Sequence, residues 1–273
     1  MAKDKIEAFH RLHEEGCFVL PNPWDRGTAR FLETLGFSAL ATTSAGLAFT
    51  LARPDAPTSL GRDLVLEHTR DIVEATALPV NADFQAGYGA TPAEVAESVA
   101  RCVETGVAGL SIEDATGDDD APLYDLDEAV ARLRAAREAI DASGRPVVIT
   151  GRAECFLVGH ADPLSESIRR LVAYAEAGAD CLYAPGVKSE EEVRAVVAAV
   201  QPKPVNVLAA APDRMTLQQL AALGVRRVSV GSAMARLAYG AFMTAARDIA
   251  HTGSFARLAD AEPFATFNDL FAR

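Results

Sequence analysis

The chain alternates helical stretches with short apolar runs, and this alternation predicts its architecture. Several helical stretches end at a glycine that leads directly into an apolar run, which is the usual position of a helix C-cap glycine. Those glycines are Gly36, Gly106, Gly178 and Gly224. The apolar runs predict strands at Phe18–Pro21, Ala39–Thr43, Val80–Asp83, Gly109–Glu113, Pro146–Gly151, Cys181–Ala184, Val205–Leu208 and Arg227–Val230. Eight such units of similar size predict a (β/α)8 barrel, and an open doubly wound sheet is the alternative.

Capping residues mark several helix starts between these strands. Thr91–Glu94 (TPAE) and Ser189–Glu192 (SEEE) have the pattern of a capping box, and Asp162 followed by proline predicts another helix start. The helix after Thr91 is expected to bury Val95, Val99 and Val103. No linker rich in proline or serine interrupts the chain, so we expect one domain over residues 1–273 with a C-terminal tail. We expect this tail to pack on the barrel or on a neighbouring subunit through its aromatic residues Phe255, Phe264, Phe267 and Phe271.

The composition is that of an ordinary globular protein with a substantial core. Of the 273 residues, 49% are hydrophobic and 23% are charged. The net charge of −12 disfavours nucleic acid and anionic membrane surfaces as partners. The four cysteines form no CxxC pair, so they indicate neither a zinc site nor a disulfide framework. The first residues form a charged, helix-like segment and not a signal peptide, and no apolar run approaches the ~20 residues of a membrane span. The sequence therefore predicts a cytoplasmic protein.

Carboxylates follow two neighbouring strands of the predicted barrel. Asp83 ends the run LPVNAD, and Glu113 ends the run GLSIE. In such a barrel the ligand site lies at the carboxyl ends of the strands. Two hard oxygen ligands beside the glycine-rich segment Gly87–Gly89 indicate a divalent cation site, and the alternative is that both acids only cap the following helices. The other predicted strand ends are also rich in polar or small residues, among them Trp24, Ser44, Gly46, Arg152, Tyr183, Asn206 and Ser229.

Several segments of the chain resemble the isocitrate lyase/phosphoenolpyruvate mutase superfamily. They occur in family order between Gly16 and Ser232 and read PNPWD, ATTSAGLA, RPD, ADFQAGYG, GLSIED, GRAECFLVG and YAEAGADCLYAPG. The resemblance implies a (β/α)8 barrel whose last helix is exchanged between subunits, in a homotetramer built as a dimer of dimers. It also implies Mg²⁺, with Mn²⁺ as an alternative, and a reaction that makes or breaks a C–C or C–P bond beside a 2-oxo acid through a pyruvate-enolate-like species.

Matching positions carry the roles that the resemblance implies. The metal is expected at Asp83, Gln85 and Glu113, and Asp55 is expected to orient metal-bound water. Arg152 is expected to hold the anionic group of the substrate, and with Asp55 and Glu113 it completes the expected catalytic set. The remaining expected substrate contacts are the pocket-lining Trp24, the backbone N–H groups of Ser44 and Gly46, and Asn206. Mg²⁺ suits this set because it prefers few carboxylates and several waters, and arginine presents a planar fork to carboxylate or phosphonate.

Two departures from the superfamily pattern narrow the expected chemistry. Gln85 stands where a second acid is usual, which removes one negative charge from the metal site. The loop after the GLSIED segment, residues 115–128, contains no cysteine, lysine or histidine, although the lyases use a loop cysteine as general acid and the mutases a loop rich in lysine and asparagine. We therefore expect a Mg²⁺-dependent lyase of a small 2-oxo or 2-hydroxy carboxylate, such as a decarboxylase. The alternatives are a C–P bond enzyme of the phosphonomutase or phosphonopyruvate hydrolase type and a barrel that binds a carboxylate without catalysis.

Other polar residues near the predicted site have simpler interpretations. A strand-end tyrosine such as Tyr183 is more often a packing residue than a proton donor. Cys155 is expected to be a buried, inert thiol and His160 a solvated loop residue. The acidic run Asp118–Asp120 is expected to be the exposed edge of a loop that could act as a lid.

Overall fold

In the part of the chain that the structure describes, eight parallel strands form one sheet that curls into a nearly closed barrel. The computed structural model describes residues 2–56, 59–211 and 215–272. The strands are β1 (Phe18–Leu20), β2 (Leu40–Ala41), β3 (Val80–Asp83), β4 (Gly109–Glu113), β5 (Val148–Arg152), β6 (Cys181–Tyr183), β7 (Val205–Leu208) and β8 (Arg227–Ser229). From β2 to β8 each strand pairs with the next one along the chain, and β8 pairs with β1. This order confirms the predicted (β/α)8 barrel and excludes the open doubly wound sheet.

Helices lie between the strands and at both ends of the chain. They are α1 (Ala2–Glu14), α2 (Arg26–Thr34), α3 (Ser44–Thr50), α4 (Arg62–Ala75), α5 (Pro92–Glu104), α6 (Leu126–Ala142), α7 (Pro163–Glu176), α8 (Glu190–Val200), α9 (Leu217–Ala222), α10 (Ala233–Thr252) and α11 (Phe264–Phe271). A 3-10 helix at Ala256–Asp260 separates the last two.

Local sequence signals placed most of these elements correctly. The Thr91 and Ser189 hydroxyls accept from the backbone N–H three residues ahead, and both predicted capping boxes are present. The valines predicted on the buried face of α5 are at most 1% exposed. The four glycines predicted as C-caps all have φ between 80° and 104°, a region that favours glycine. Predicted strand limits differ from the structure by up to two residues at either end; β2 ends before Thr43, whose hydroxyl caps α3 by accepting from the Gly46 N–H at 3.2 Å.

A buried asparagine reinforces the seam where the barrel closes. The backbone N–H of Ala41 donates to the Pro21 carbonyl at 3.0 Å, which joins the ends of β1 and β2. The Asn22 side-chain amide donates to the Thr42 carbonyl at 2.9 Å. Its oxygen accepts from the N–H groups of Val230 and Gly231 at 3.0 and 2.8 Å. Asn22 therefore ties β1, β2 and β8 together at the carboxyl ends of the strands.

Helix α1 covers the amino-terminal end of the barrel. Phe9 is fully buried, and a Cβ on Gly109 at the start of β4 would lie 2.5 Å from its ring, so glycine is required there. His10 contacts the Pro146 carbonyl at 2.6 Å, just before β5. His13 is partly buried between the Phe9 carbonyl, 2.7 Å from Nδ1, and Arg227 at the start of β8, 3.3 Å from Nε2.

The burial of His13 predicts a specific acid sensitivity. Burial, together with the positive charge of Arg227, lowers the pKa of His13 to about 3. Between pH 6.5 and 3 the unfolded chain therefore binds a proton that the folded chain does not, so stability falls as the pH falls. The His13→Gln variant should lose less stability than the wild type between pH 7 and pH 5, by about 2 kcal/mol. Urea unfolding at the two pH values measures this difference. The exposed His251→Gln variant should follow the wild type, and equal losses in His13→Gln and wild type would contradict the expectation.

The C-terminal part of the chain packs only in part on the barrel. Helix α11 contacts α2, where the Phe271 ring approaches Gly27. Along α10 only Ala235 is buried, and large apolar side chains such as Phe242 and Phe264 are 68% and 83% exposed. Exchange of the last helix between subunits stays a prediction. Within the described ranges, no helix is long and apolar enough to cross a membrane.

Candidate active site

A polar cavity lies inside the barrel at the carboxyl ends of the strands. It has a volume of about 60 Å³ and is lined mainly by side chains that point inward from the strands and the loops after them. Its polar lining residues are Asn22, Thr42, Asn81, Asp83, Ser111, Arg152, Tyr183, Asn206, Arg227 and Ser229. A wider groove of about 820 Å³ lies at the other end of the barrel, between α1, α2 and α4, and is lined by none of the predicted site residues. The chemistry predicted from the sequence therefore belongs to the smaller cavity.

Arg152 is the centre of a cluster of carboxylates at this end of the barrel. Its Nη1 lies 3.3 Å from Asp83 Oδ1 and 3.0 Å from Glu113 Oε2, and its Nε donates to Glu154 Oε1. The register places Glu113 directly opposite Arg152 on the neighbouring strand. Burial raises the pKa of Glu113 well above its usual value, and the positive charge of Arg152 offsets only part of this. The same two effects act on Glu154. When all of these groups are ionised, the three carboxylates and the one guanidinium leave the cluster with a net charge of −2.

The loop after β2 brings the other predicted acid to the same place. The backbone N–H of Ser44 donates to Asp83 Oδ2 at 2.9 Å, and the Asp83 N–H donates to the Thr42 hydroxyl. Asp55 lies on the exposed loop after α3, and its carboxylate interacts with the Ser44 hydroxyl. Partial burial raises the pKa of Asp55, and the negative charge of Asp83 adds to the rise. The structure therefore brings Asp55, Ser44 and Asp83 together, and the orientation of metal-bound water by Asp55 stays a prediction.

Trp24 and Gly46 lie against each other at the start of α3. A Cβ on Gly46 would lie 2.9 Å from the Trp24 Cβ and 2.5 Å from the Thr43 methyl group, so a larger residue does not fit. The Trp24 carbonyl accepts from His68 at 2.9 Å, which fixes the loop after β1. The predicted carboxylate contacts of this segment have partners within the chain, because the Ser44 N–H donates to Asp83 and the Gly46 N–H to Thr43. Their contact with substrate stays a prediction.

Gln85 occupies an unusual backbone position next to the acids. Its φ is +44°, and its carbonyl accepts from the Glu113 N–H at 2.9 Å. The side chain is only 6% exposed, and its Oε1 has no hydrogen-bond partner among the described residues. A left-handed conformation at a non-glycine residue costs about 1–3 kcal/mol and is often found at functional sites. A buried oxygen without a donor suits a cation or a bound water.

The donor set fits a Mg²⁺ ion held largely by water. Within the described part of the chain, no three histidine, cysteine, aspartate or glutamate side chains are arranged as a metal centre. Asp83 and Glu113 nevertheless lie within 3.3 Å of the same guanidinium atom, so both carboxylates reach one point. Mg²⁺ typically takes one or two protein carboxylates and keeps several waters. A divalent cation also has the charge that balances the net −2 of the ionised cluster.

The residue after Glu113 has a different role from its neighbour. Asp114 is not among the residues that line the cavity and is 2% exposed. Its carboxylate accepts from the Glu154 N–H at 2.8 Å, from Arg170 at 3.0 Å and from the Tyr174 hydroxyl at 2.6 Å. Asp114 therefore fixes the backbone of Glu154, and Glu154 in turn holds Arg152.

Asn206 lines the cavity, but both ends of its side chain have partners in the chain. Its oxygen accepts from Arg227 Nε at 2.9 Å, and its nitrogen donates to the Ser229 hydroxyl at 3.0 Å. Substrate binding by Asn206 stays a prediction. Sequence reasoning missed Arg227, together with Ser111 and Asn81, because it examined only the last residues of each strand. The signal that was available is the two-residue period of a strand, which places these residues on the same inward face as the strand ends.

Cys155, His160 and the acidic run Asp118–Asp120 lie outside the acid and arginine cluster. Cys155 is fully buried, and burial raises the pKa of its thiol to about 11, as expected of an inert cysteine. His160 is exposed on the loop after β5. Asp118–Asp120 lie at the exposed end of a short loop closed by an antiparallel bridge between Ala115 and Leu123, and action as a lid stays a prediction.

Comparison with known proteins agrees with this fold. Residues 9–250 match the family model for phosphoenolpyruvate phosphomutase. A crystal structure of a candidate lyase/mutase from Burkholderia cenocepacia J2315 is 47% identical with a TM-score of 0.95, covering 100% of this chain and 97% of that one. Oxaloacetate decarboxylase from Bradyrhizobium diazoefficiens is 34% identical over 207 residues, which are 73% of this chain and 68% of the relative. Phosphonopyruvate hydrolase, solved with oxalate and Mg²⁺, is 26% identical with a TM-score of 0.86, covering 98% and 95% of the two chains.

These matches cover most of the chain and include the strands that carry the acid and arginine cluster. The chain belongs to the phosphoenolpyruvate mutase/isocitrate lyase superfamily and is a lyase of that superfamily. The superfamily assignment made from the sequence segments is thereby confirmed.

Proposed function

We propose that this lyase is Mg²⁺-dependent and cleaves a C–C bond beside the carbonyl of a small 2-oxo carboxylate, as a decarboxylase does. The observation that carries the proposal is the cluster in which Asp83, Glu113 and Glu154 surround Arg152 at the carboxyl ends of the strands. The similarity to oxaloacetate decarboxylases and the presence of Mg²⁺ in the phosphonopyruvate hydrolase complex support it.

Each residue of the cluster has a defined task in this proposal. Asp83 and Glu113 would hold Mg²⁺, partly through water, with Gln85 and Asp55 beside them. The bound ion supplies positive charge for the oxygen that becomes an enolate when the bond breaks. Arg152 binds the anionic group of the substrate, because its fork matches a carboxylate. Glu154 fixes the fork through Nε, and Trp24 forms the wall of the oxo-acid pocket.

The loop after β4 favours a reaction that needs no loop acid. Residues 115–128 contain neither a thiol nor an amine, so they offer no general acid of the kind that a C–C lyase of isocitrate type requires. A decarboxylase releases CO₂ without protonating a leaving group, and its enolate can take a proton from water. The phosphonopyruvate hydrolase match keeps a C–P substrate as the second candidate.

The assembly proposed for the active protein is a homotetramer. The exposed apolar side chains of α10 and the tail, such as Leu237 and Phe242, support contact with other subunits. Exchange of the last helix within each dimer is part of this proposal.

Thermal unfolding with Mg²⁺, with oxalate and with both together tests the proposed site. Oxalate has the planar shape of a pyruvate enolate, so we expect a large rise in Tm only when both are present. A ligand at about 100 times its Kd stabilises the folded state by roughly 2.7 kcal/mol, which is several degrees for a chain of this size. The exposed Asp127→Asn variant should shift as the wild type does. No shift under any condition would overturn the metal–enolate site and favour a barrel without this chemistry.

A substrate screen then separates the two candidate reactions. Loss of oxaloacetate with release of pyruvate and CO₂ supports the decarboxylase. Release of inorganic phosphate from phosphonopyruvate, followed by ³¹P NMR, supports the C–P enzyme.

A further inference from the structure

We propose that Arg227, at the start of β8 and in the lining of the cavity, is a positioning residue for the ligand pocket. Its guanidinium fixes the direction of a chain of hydrogen bonds through Asn206 and Ser229. As a result, the Tyr183 hydroxyl donates a hydrogen bond to a ligand oxygen in the cavity. This inference rests on the proposed function, because it requires that an oxo-acid or enolate-like ligand binds there.

Arg227 is a buried cation whose contacts are all to neutral groups. It is 2% exposed. Its Nε lies 2.9 Å from Asn206 Oδ1, its Nη2 lies 3.0 Å from the Thr150 hydroxyl and its Nη1 lies 3.3 Å from His13 Nε2. Among the described residues, no carboxylate forms an ion pair with it at 4.0 Å or less. A guanidinium only donates hydrogen bonds, so every one of these partners must accept.

The contacts of His13 fix the base of the chain. A carbonyl oxygen only accepts, so the Nδ1 that faces the Phe9 carbonyl carries the proton. Nε2 is then the bare nitrogen and accepts from Arg227. His13 therefore holds the guanidinium in place without competing as a donor.

The donor and acceptor of each further hydrogen bond follow from the contact with Arg227. Because Asn206 Oδ1 accepts from the guanidinium, the other end of the amide is its NH₂ group, which donates to Ser229 Oγ at 3.0 Å. Ser229 then has its own hydroxyl proton free to donate. We infer that it donates to Tyr183, which lines the same cavity; burial raises the pKa of Tyr183, and a hydrogen bond from Ser229 offsets part of that rise. The hydrogen bonds of such a chain strengthen one another when every member both accepts and donates in one direction. The series of hydrogen bonds therefore ends at the Tyr183 hydroxyl, whose hydrogen is free to bond with a ligand.

The Tyr183 hydroxyl lies where it can donate a hydrogen bond to a ligand in the cavity. It lines the same cavity as Asp83 and Arg152. The guanidinium carbon of Arg152 lies 5.3 Å from the centre of its ring, so the hydroxyl and the proposed anion-binding arginine share one wall. Burial raises the pKa of Tyr183 to about 12, so the hydroxyl keeps its proton at neutral pH. A donor of this kind stabilises negative charge on an oxygen.

A double-mutant cycle on oxalate affinity tests the chain. The Kd of oxalate in the presence of Mg²⁺ is measured by calorimetry for wild type, Tyr183→Phe, Arg227→Met and the double variant. We expect Tyr183→Phe to weaken binding about tenfold and Arg227→Met to weaken it by a similar factor, the value of one hydrogen bond. The double variant should bind no worse than Tyr183→Phe, because Arg227 acts through Tyr183. Arg226→Met is the matched control, since Arg226 donates to the Gly16 carbonyl outside the barrel interior, and it should bind as the wild type does.

A second variant keeps the test decisive if loss of the buried arginine unfolds the protein. Ser229→Ala breaks the middle of the chain with a smaller change in volume, and it should weaken oxalate binding in the wild type but not in the Tyr183→Phe background. If the losses in oxalate binding free energy are additive in both cycles, the inference is overturned and the proposed function is left intact. Failure of the wild type to bind oxalate with Mg²⁺ would overturn the proposed function and this inference together.

Discussion

The Asp83→Asn variant is expected to lose Mg²⁺-dependent turnover of its 2-oxo acid by about 10³-fold in kcat, the scale on which preorganised charge acts on a developing oxyanion. Asparagine keeps the shape of the side chain and an oxygen that can accept from the Ser44 N–H. It removes the negative charge that faces Arg152 at 3.3 Å and that would hold the cation. Initial rates over a range of Mg²⁺ concentrations, with calorimetry of Mg²⁺ binding, measure the effect.

Two comparisons make the Asp83 result specific. The exposed Asp127→Asn variant removes the same charge from the first turn of α6 and should keep wild-type kcat and metal dependence. Circular dichroism should show that Asp83→Asn is folded, because Arg152 retains Glu113 and Glu154 as partners. Turnover of Asp83→Asn at the wild-type rate would rule out Asp83 as a metal-associated residue.

The barrel could be predicted from the sequence because its signals are local. The C-cap glycines, the capping boxes at Thr91 and Ser189, and the apolar runs each specify a short segment without reference to the rest of the chain. Strand β2 was predicted too long for the same reason. Thr43 reads as a β-branched strand residue, yet in the fold its hydroxyl caps α3.

The part of the site at the strand ends could also be predicted, since parallel strands bring their carboxyl ends together. Asp83, Glu113 and Arg152 are up to 69 residues apart in sequence and interact in the structure. Asp55 follows α3 and was expected only from the family resemblance. The interior could not be derived in the same way. Arg227 lies at the start of its strand, and only the curvature of the barrel brings its guanidinium to Asn206 and Thr150.

Features that depend on backbone strain or on another chain have no simple pattern in the sequence. Gln85 has a left-handed φ next to glycine-rich sequence, where a glycine would be the usual expectation. The exposed apolar side chains of α10 are typical of an interface, but which surface covers them depends on a second subunit.

The Arg152→Lys variant is expected to fold and to lose about 10²-fold in kcat/KM, mostly through a higher KM for the anionic substrate. The guanidinium contacts Asp83 and Glu113 through Nη1 and Glu154 through Nε, so its remaining N–H groups are held in one orientation. A lysine ammonium is a single point charge that cannot span these acids and also present a fork to the substrate. Steady-state kinetics with the substrate found in the screen, and the Kd of oxalate with Mg²⁺, measure the loss.

The free energy of unfolding of two variants distinguishes the effect of the Arg152 charge from the effect of its shape. Arg152→Met leaves one buried and two partly buried carboxylates without their cation, which we expect to cost about 3–5 kcal/mol in urea unfolding at pH 7. Arg152→Lys keeps the charge and should lose much less stability, although its kcat/KM falls. The matched Arg145→Lys change should leave both quantities unchanged, because the Arg145 guanidinium donates to the Val103 carbonyl, away from the cavity. A lysine variant with wild-type kcat/KM would show that the fork is not needed, and Arg152 would then act only as the counter-charge of the three acids.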